Sequence, residues 1–160
     1  MFSLYVLRHA DAEPAASSDA ARALTEKGRT QSARVGKFMA AHGLMPALIL
    51  HSPFKRTLET ADIVAKELGQ AMASDVTLRS GMRPEEGLAL LKGVMKRNEP
   101  VLIVGHEPDL SELIGVLIGT SEQPARLEVK KASLWLIELS AVRAGGGYLT
   151  AAIPVKLMER

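Results

Sequence analysis

Short apolar runs alternate with longer mixed segments along most of the chain. The runs Leu4–Leu7, Ala47–Leu50 and Val101–Val104 are continuous, which is typical of strands that are buried on both faces. A shorter stretch, Val76–Leu78, predicts a further strand. Between these runs, apolar residues recur every three or four positions, as they do on one face of a helix. The pattern therefore predicts strands and helices in alternation.

The helical segments begin and end at residues with favourable capping chemistry. Four helices are predicted: Thr25 to about His42, Ser52 to Leu68, Pro84 to Val94 and Pro108 to Ile118. In the second of them, Ser52 is expected to be the N-cap, with Pro53 at the first helical position. Gly43 and Gly69 are expected to end the first two helices, because glycine readily adopts the left-handed conformation found at helix ends.

The last part of the chain shows no comparable helix pattern. Arg126–Leu139 and Tyr148–Leu157 are predicted to be strands joined by a turn at Gly145–Gly147. The alternation before this part favours a parallel sheet with helices on both faces. We therefore expect an α/β fold with three α/β/α layers, whose mostly parallel central sheet carries an antiparallel edge strand. No repeat or linker divides residues 1–160, so a single domain is expected.

The amino-acid composition indicates which kinds of partner and which cellular compartment to expect for this protein. The chain is 47% apolar and 24% charged with a net charge of +2, as in ordinary globular proteins. It has no cysteine, which excludes disulfides and thiolate metal sites. Its basic residues are scattered and only 4% of residues are aromatic, which argues against nucleic-acid binding. Since no apolar run could span a bilayer and no leader pattern is visible, we expect no membrane association and a cytoplasmic location.

Polar and charged residues follow three of the predicted strands where each strand ends. Arg8 and His9 follow the first strand. Ser52 and Arg56 follow the second, and His106 follows the third. Ligands bind at the carboxyl edge of open parallel sheets, so these residues are expected to converge there. Arg8 and His9 would point to opposite faces of an extended strand, so both reach one pocket only if the strand ends at Arg8.

Two arginines and two histidines at one edge suit phosphoryl transfer. Guanidinium groups bind phosphate oxygens in a bidentate manner and keep their charge at any working pH. A neutral imidazole is a competent nucleophile toward phosphorus, and a second, protonated imidazole could stabilise the oxygens in the transition state. The N-terminus of the helix at Pro53 would add backbone donors. No metal is expected, because the histidines lack the spacing of zinc ligands.

Four motifs, in order along the chain, resemble those of one known family. They are Leu7–Ala10, Leu24–Gly28 with Gln31, Ser52–Thr57 with Thr60–Ala61, and Val104–Pro108. The set resembles the histidine phosphatase superfamily, whose hallmark is Arg-His-Gly, and within it the SixA-type phosphohistidine phosphatases. The resemblance covers nearly the whole chain and implies a phosphoglycerate mutase-like fold. Ala10 replaces the hallmark glycine, so the backbone there must suit alanine.

The resemblance implies a role for each residue at the strand ends. His9 would be the nucleophile that is transiently phosphorylated, and Arg8 and Arg56 would clamp the phosphoryl group. His106 would stabilise the pentacoordinate state, after which water would hydrolyse the intermediate without a metal or organic cofactor. Three further residues are expected to contact substrate: Asp19, Arg22 and Ser52.

The leaving group of the substrate decides whether a general acid is needed. Ester phosphatases of the superfamily protonate an alkoxide with a carboxylic acid, whereas the imidazole that leaves phosphohistidine is far less basic. The spacing does not choose among the candidate acids, which are Glu107, Asp11, Glu85, Glu86 and Asp109. The chain is short for the superfamily, which favours an open pocket and a phosphohistidine-bearing protein as substrate, in a phosphorelay or similar signal transduction pathway. The alternatives are a phosphatase for small phosphate esters and a phosphate-binding module without turnover.

Overall fold

The computed structural model describes residues 1–159. The strands are β1 Phe2–Arg8, β2 Leu48–His51, β3 Met72–Ser74, β4 Val101–Gly105, β5 Leu134–Leu139 and β6 Gly147–Ile153. The α-helices are α1 Glu26–Ala41, α2 Lys55–Leu68, α3 Pro84–Val94 and α4 Asp109–Ile118. Short 3-10 turns lie at Asp19–Ala21, Val76–Leu78 and Val155–Leu157. No helix among these residues is both long and apolar enough to cross a membrane.

The strands form one six-stranded sheet in the order β3-β2-β4-β1-β5-β6. The first four strands in this order are parallel to one another. β5 pairs antiparallel with β1, and the edge strand β6 pairs antiparallel with β5. The predicted α/β fold with a mostly parallel sheet and an antiparallel edge strand is therefore confirmed.

Helices cover both faces of this sheet. Leu4 and Val6 of β1 pack in one apolar cluster with residues of α3 and α4. The alternate residues Tyr5 and Leu7 pack in a second cluster with residues of α1 and α2. Successive residues of a strand point to opposite faces, so the continuous apolar run Leu4–Leu7 supplies both clusters and anchors β1 in the middle layer.

Three predicted strands differ from the structure. Val76–Leu78 is a 3-10 turn, because the Asp75 side chain accepts a hydrogen bond from Thr77 N and the Asp75 carbonyl accepts one from Leu78 N. The edge strand there is the preceding Met72–Ser74. The strand predicted from Arg126 begins only at Leu134. The strand predicted over Tyr148–Leu157 ends at Ile153, and after Pro154, which has no N–H group for a strand ladder, the chain forms a 3-10 turn at Val155–Leu157.

The second helix also begins later than predicted, at Lys55, with Phe54 rather than Ser52 at the N-cap position. The Ser52 hydroxyl is turned toward His106, 2.8 Å from its Nε2 atom, although it also accepts a hydrogen bond from Phe54 N. Ser52 therefore connects two strand ends instead of capping a helix.

Candidate active site

The ends of β1 and β4 lie side by side. Arg8 is in register with Gly105, and His9 N donates a hydrogen bond of 3.1 Å to the Gly105 carbonyl. β1 ends at Arg8, as a shared pocket requires. The rings of His9 and His106 consequently lie close together, with centroids 5.6 Å apart and planes tilted by 56°. Two histidines that are 97 positions apart in sequence thus meet at the carboxyl edge of the sheet.

His9 presents an unprotonated ring nitrogen. Its Nδ1 atom lies 2.7 Å from the Ala10 carbonyl, an acceptor, so Nδ1 carries the proton and Nε2 keeps its lone pair. The ring is only 5% exposed. The pKa of His9 is lowered to about 4, chiefly by burial and then by the positive charges of Arg56 and Arg8, against the opposing hydrogen bond to Ala10. His9 is therefore neutral at pH 7.

Ala10 is fully buried and is tied to the second strand end by Thr60. Ala10 N donates to Thr60 Oγ1 at 3.1 Å, and the same hydroxyl donates to the Arg56 carbonyl at 2.8 Å. Ala10 is not among the described residues with positive φ, so its backbone accommodates a Cβ atom. No role of Thr60 was predicted from the sequence, although Thr60 belongs to the third family motif and lies one turn after Arg56 on the buried face of α2.

Both arginines keep donors that have no partner. Arg56 donates to the Asp19 carbonyl at 2.8 Å and to its carboxylate at 3.2 Å, and Arg8 donates to the Val129 carbonyl at 3.2 Å. The Nε atoms of Arg8 and Arg56 are buried without a hydrogen-bond acceptor. The Arg56 guanidinium also lies over the Phe54 ring, 5.2 Å from its centroid, which restricts its orientation.

The proton on His106 is placed by Ser52. The buried Ser52 hydroxyl already accepts from Phe54 N, and its own proton is satisfied only if it donates to His106 Nε2. In that arrangement His106 carries its proton on Nδ1, which is buried and has no partner. The pKa of His106 is lowered to about 3, chiefly by burial and then by the charge on Arg56. In this state His106 is a neutral donor, whereas a protonated imidazole was expected from the sequence.

The unpaired donors gather at one place. Among the buried side-chain nitrogen and oxygen atoms of residues 1–159, three lack a hydrogen-bond partner: Arg8 Nε, Arg56 Nε and His106 Nδ1. Unpaired buried donors are costly in a folded protein, and their concentration at one site indicates a ligand with several acceptor atoms. A tetrahedral oxyanion beside His9 has that chemistry.

Asp19 and Arg22 lie at the rim beside Arg56. The Asp19 carboxylate, which is 59% exposed, pairs with Arg22 at 3.0 Å and with Arg56 at 3.2 Å. Arg22 also donates to the Glu13 carbonyl at 2.6 Å. Hydrogen bonding to Arg22 lowers the pKa of Asp19, so the carboxylate stays ionised. Asp19 contacts Arg56 directly and orients its guanidinium, and Arg22 contacts Asp19.

Glu107, the acid directly after His106, is engaged by the backbone. Its two carboxylate oxygens accept hydrogen bonds from Ser111 N at 2.8 Å and Val129 N at 3.4 Å. Burial lowers the pKa of Arg8, and the negative charge of Glu107 opposes that shift, so the carboxylate acts on the site electrostatically.

The remaining candidate acids are held by other contacts. Asp11 accepts from the Thr25 hydroxyl at 2.7 Å and pairs with Lys131 at 3.2 Å. The buried Asp109 carboxylate accepts from the N–H groups of Gly81–Met82, and burial raises its pKa. Both acids of the α3 first turn pair with arginine: Glu85 and Glu86. Within residues 1–159 no group of three or more histidines and acids is placed to hold a metal ion.

The chain is similar in sequence to known proteins of one family. Residues 4–86 match the histidine phosphatase superfamily (branch 1). An uncharacterised protein of Picosynechococcus is 32% identical over 88% of this chain and 87% of its own length. The phosphohistidine phosphatase SixA homolog of Haemophilus influenzae is 29% identical over 73% of this chain and 77% of its own length.

Among solved structures, the protein histidine phosphatase SixA complexed with tungstate is similar, with a TM-score of 0.84 and 22% identity over 96% of this chain and 97% of that one. This likeness extends over the whole three-layer fold. Taken with the family match over more than half of the sequence and the relative at 32% identity, it leads to one conclusion: the chain belongs to the histidine phosphatase superfamily and has SixA-type proteins among its relatives.

Proposed function

We propose that this protein is a phosphatase that works through a phosphorylated His9 and acts on phosphohistidine in another protein. The observation that carries the proposal is the set of three unpaired buried nitrogens, from Arg8, Arg56 and His106, at the site where His9 keeps a free Nε2. The tungstate in the related SixA structure is consistent with it, because tungstate is a tetrahedral oxyanion like phosphate.

In the first step the Nε2 lone pair of His9 attacks phosphorus and the P–N bond of the substrate breaks. Substrate phosphohistidine that is protonated on its other ring nitrogen leaves as neutral imidazole, so no acid has to deliver a proton. His9 then carries the phosphoryl group on Nε2 and its proton on Nδ1. The Ala10 carbonyl, 2.7 Å from Nδ1, stabilises the positive charge of that imidazolium.

In the second step water attacks phosphorus and the P–Nε2 bond breaks. Inorganic phosphate takes up the water oxygen and both of its protons at neutral pH, and His9 returns to its neutral form. Arg8 and Arg56 bind the phosphoryl oxygens in both steps, and His106 donates from Nδ1 as negative charge shifts onto them. The negative charge of a bound phosphoryl group would offset the positive charges of Arg8 and Arg56. The pKa of His106 would therefore rise toward its usual value.

The contacts of the acids favour a phosphoramidate over an ester. An alkoxide leaving group needs a proton, and each candidate acid already serves a structural contact. Glu107 is the acid that supports the second candidate function, a phosphatase for small phosphate esters, because its charge acts directly on Arg8. If that function holds, Glu107→Gln should abolish ester hydrolysis and leave phosphohistidine hydrolysis unchanged.

The experiment that tests the proposal is rapid-quench trapping with a phosphohistidine peptide that carries labelled phosphate. Wild type is expected to become labelled and to release phosphate, and His9→Ala is expected to do neither. His42→Ala is the matched control, since His42 ends α1 and stacks on Phe38 away from the site. Binding of the peptide without label transfer or phosphate release would show a phosphate-binding module instead.

A further inference from the structure

A cationic groove lies between α1 and the turn Val155–Leu157, outside the phosphate site. Its volume is about 580 Å³, and four basic side chains line it: Lys27, Arg34, Lys37 and Lys156. Ala33 and Val155 add small apolar surfaces to the same groove. No acidic residue of the described chain is among its lining residues, so the groove concentrates positive charge.

The four cations of the groove form no ion pair with the described part of the chain. Within residues 1–159, none of them has a carboxylate within ion-pair distance. Other surface cations do find partners, as Lys66 does with Asp62 at 2.9 Å. Glu159 comes near one end of the groove, where it lines a neighbouring cavity together with Lys37. The groove is thus able to accept carboxylates from another molecule.

One end of the groove reaches the loop that follows His9. Gln31, which lines the groove, accepts a hydrogen bond of 2.9 Å from Asp11 N, two residues after His9. Asp11 also pairs with Lys131, whose positive charge contributes to the lowered pKa of His9. The pKa of Asp11 is lowered chiefly by its hydrogen bond from Thr25, and the positive charge of Lys27, which lines the groove, adds to this shift. The groove is therefore connected through Gln31 to the loop that carries the chain away from His9.

Resting on the function proposed above, we propose that this groove docks an acidic segment of the phosphohistidine-bearing protein. Carboxylates of that segment would face the four cations, and a small apolar side chain would contact Ala33 and Val155. The basic positions from Lys27 to Lys37 span about 15 Å of helix, which suits a short polypeptide segment. Among the described residues that line the groove, none is aromatic and able to stack on bases, and none has a large apolar side chain that could enter a bilayer.

The test uses two synthetic phosphohistidine peptides that differ only in the segment beside the phosphohistidine, a run of glutamates or a run of glutamines. At low ionic strength, wild type is expected to hydrolyse the acidic peptide with a kcat/KM roughly tenfold higher than for the neutral peptide, and added salt should remove the difference. The triple variant Arg34→Gln/Lys37→Gln/Lys156→Gln should treat the two peptides alike. The triple variant Lys92→Gln/Lys96→Gln/Arg143→Gln, with the same charge change elsewhere on the surface, should keep the preference.

Binding of the unphosphorylated acidic peptide, followed by fluorescence anisotropy, separates docking from turnover. Salt-sensitive binding that only the groove variant loses supports the docking site even if no phosphate is released, in which case the proposed function alone fails. Hydrolysis of both peptides at equal rates, without binding of the acidic peptide, overturns the docking site and leaves the function standing. Stronger competition by duplex DNA or by anionic phospholipid vesicles than by the acidic peptide also overturns it.

Discussion

Replacement of Ser52 by alanine tests how the site controls the proton on His106. The Ser52 hydroxyl is fully buried and makes two hydrogen bonds, one to His106 Nε2 at 2.8 Å and one from Phe54 N at 3.2 Å. In Ser52→Ala the buried His106 Nε2 and the partly buried Phe54 N both lose their contact. An unsatisfied buried polar group costs about 1–3 kcal/mol, so the free energy of unfolding is expected to fall by about 3 kcal/mol.

The same change releases the His106 ring. Without the hydrogen bond from Ser52 to Nε2, the proton of the His106 ring can lie on either nitrogen. When it lies on Nε2, the lone pair of Nδ1 faces the phosphoryl oxygens and repels them. The lost constraint is worth about 1.4 kcal/mol, the value of one buried hydrogen bond, so kcat/KM should fall roughly tenfold. The nitrogen chemical shifts of His106 should show Nδ1–H in wild type and a mixture of tautomers in the variant.

Ser32→Ala is the matched control for this prediction. Ser32 is also fully buried, and its hydroxyl donates to the Gly28 carbonyl at 2.8 Å without contact to the site. The control should lose stability while kcat/KM and the His106 spectrum stay unchanged. If Ser52→Ala keeps both the wild-type kcat/KM and the Nδ1–H tautomer, Ser52 does not place this proton, and its proposed role is refuted. If wild type itself shows the proton on Nε2 or on both nitrogens, the assignment of His106 as a neutral Nδ1–H donor is refuted.

Three further changes test other contacts of the site. Gly28→Ala should lower the free energy of unfolding, measured by chemical denaturation, by about 2 kcal/mol, because a Cβ atom there would overlap the backbone carbonyl of Asp11 in the loop after His9. The control Gly93→Ala should stabilise α3 slightly, since no atom lies within 4 Å of the added Cβ atom. Thr60→Val should reduce kcat roughly tenfold with little change in KM, because the Thr60 hydroxyl that connects Ala10 N to the Arg56 carbonyl is lost. Thr60→Ser keeps the hydroxyl and should restore most of the lost activity. Equal activity of all three proteins would contradict this role. The pKa values of His9 and His106 lie near 4 and 3, below the unfolded-state value of about 6.5, so protonation favours the unfolded chain as the pH falls below about 6.5. Each histidine should therefore cost about 2 kcal/mol of stability at pH 5, and NMR titration should find neither ring charged at pH 6.

Local patterns in the sequence were sufficient for most elements of the fold. Continuous apolar runs predicted β1, β2 and β4, since strands buried on both faces need no polar residues. Proline near helix starts and glycine near helix ends predicted most helix boundaries to within a few residues. The error at Val76–Leu78 came from a side-chain hydrogen bond of Asp75, which turns the chain within two residues and leaves no mark in the apolar pattern.

The chemistry of the candidate site was visible in the sequence because arginine and histidine directly follow buried strands. Parallel pairing brings such strand ends to one edge whatever the loop lengths, so Arg8, His9 and His106 were expected together before their distances were known. Their proposed roles in catalysis depend on the experiments above.

The tertiary structure alone decided the state of those residues. The contact between Ser52 and His106 joins residues 54 positions apart, and the order of the strands in the sheet determines which side chains meet. Likewise, the lowered pKa of His9 comes from burial and from Arg56, which no local pattern records. The sequence by itself thus determined which groups stand at the sheet edge, and the fold decided which nitrogen carries a proton, because desolvation and hydrogen bonding act between residues that are distant in the chain.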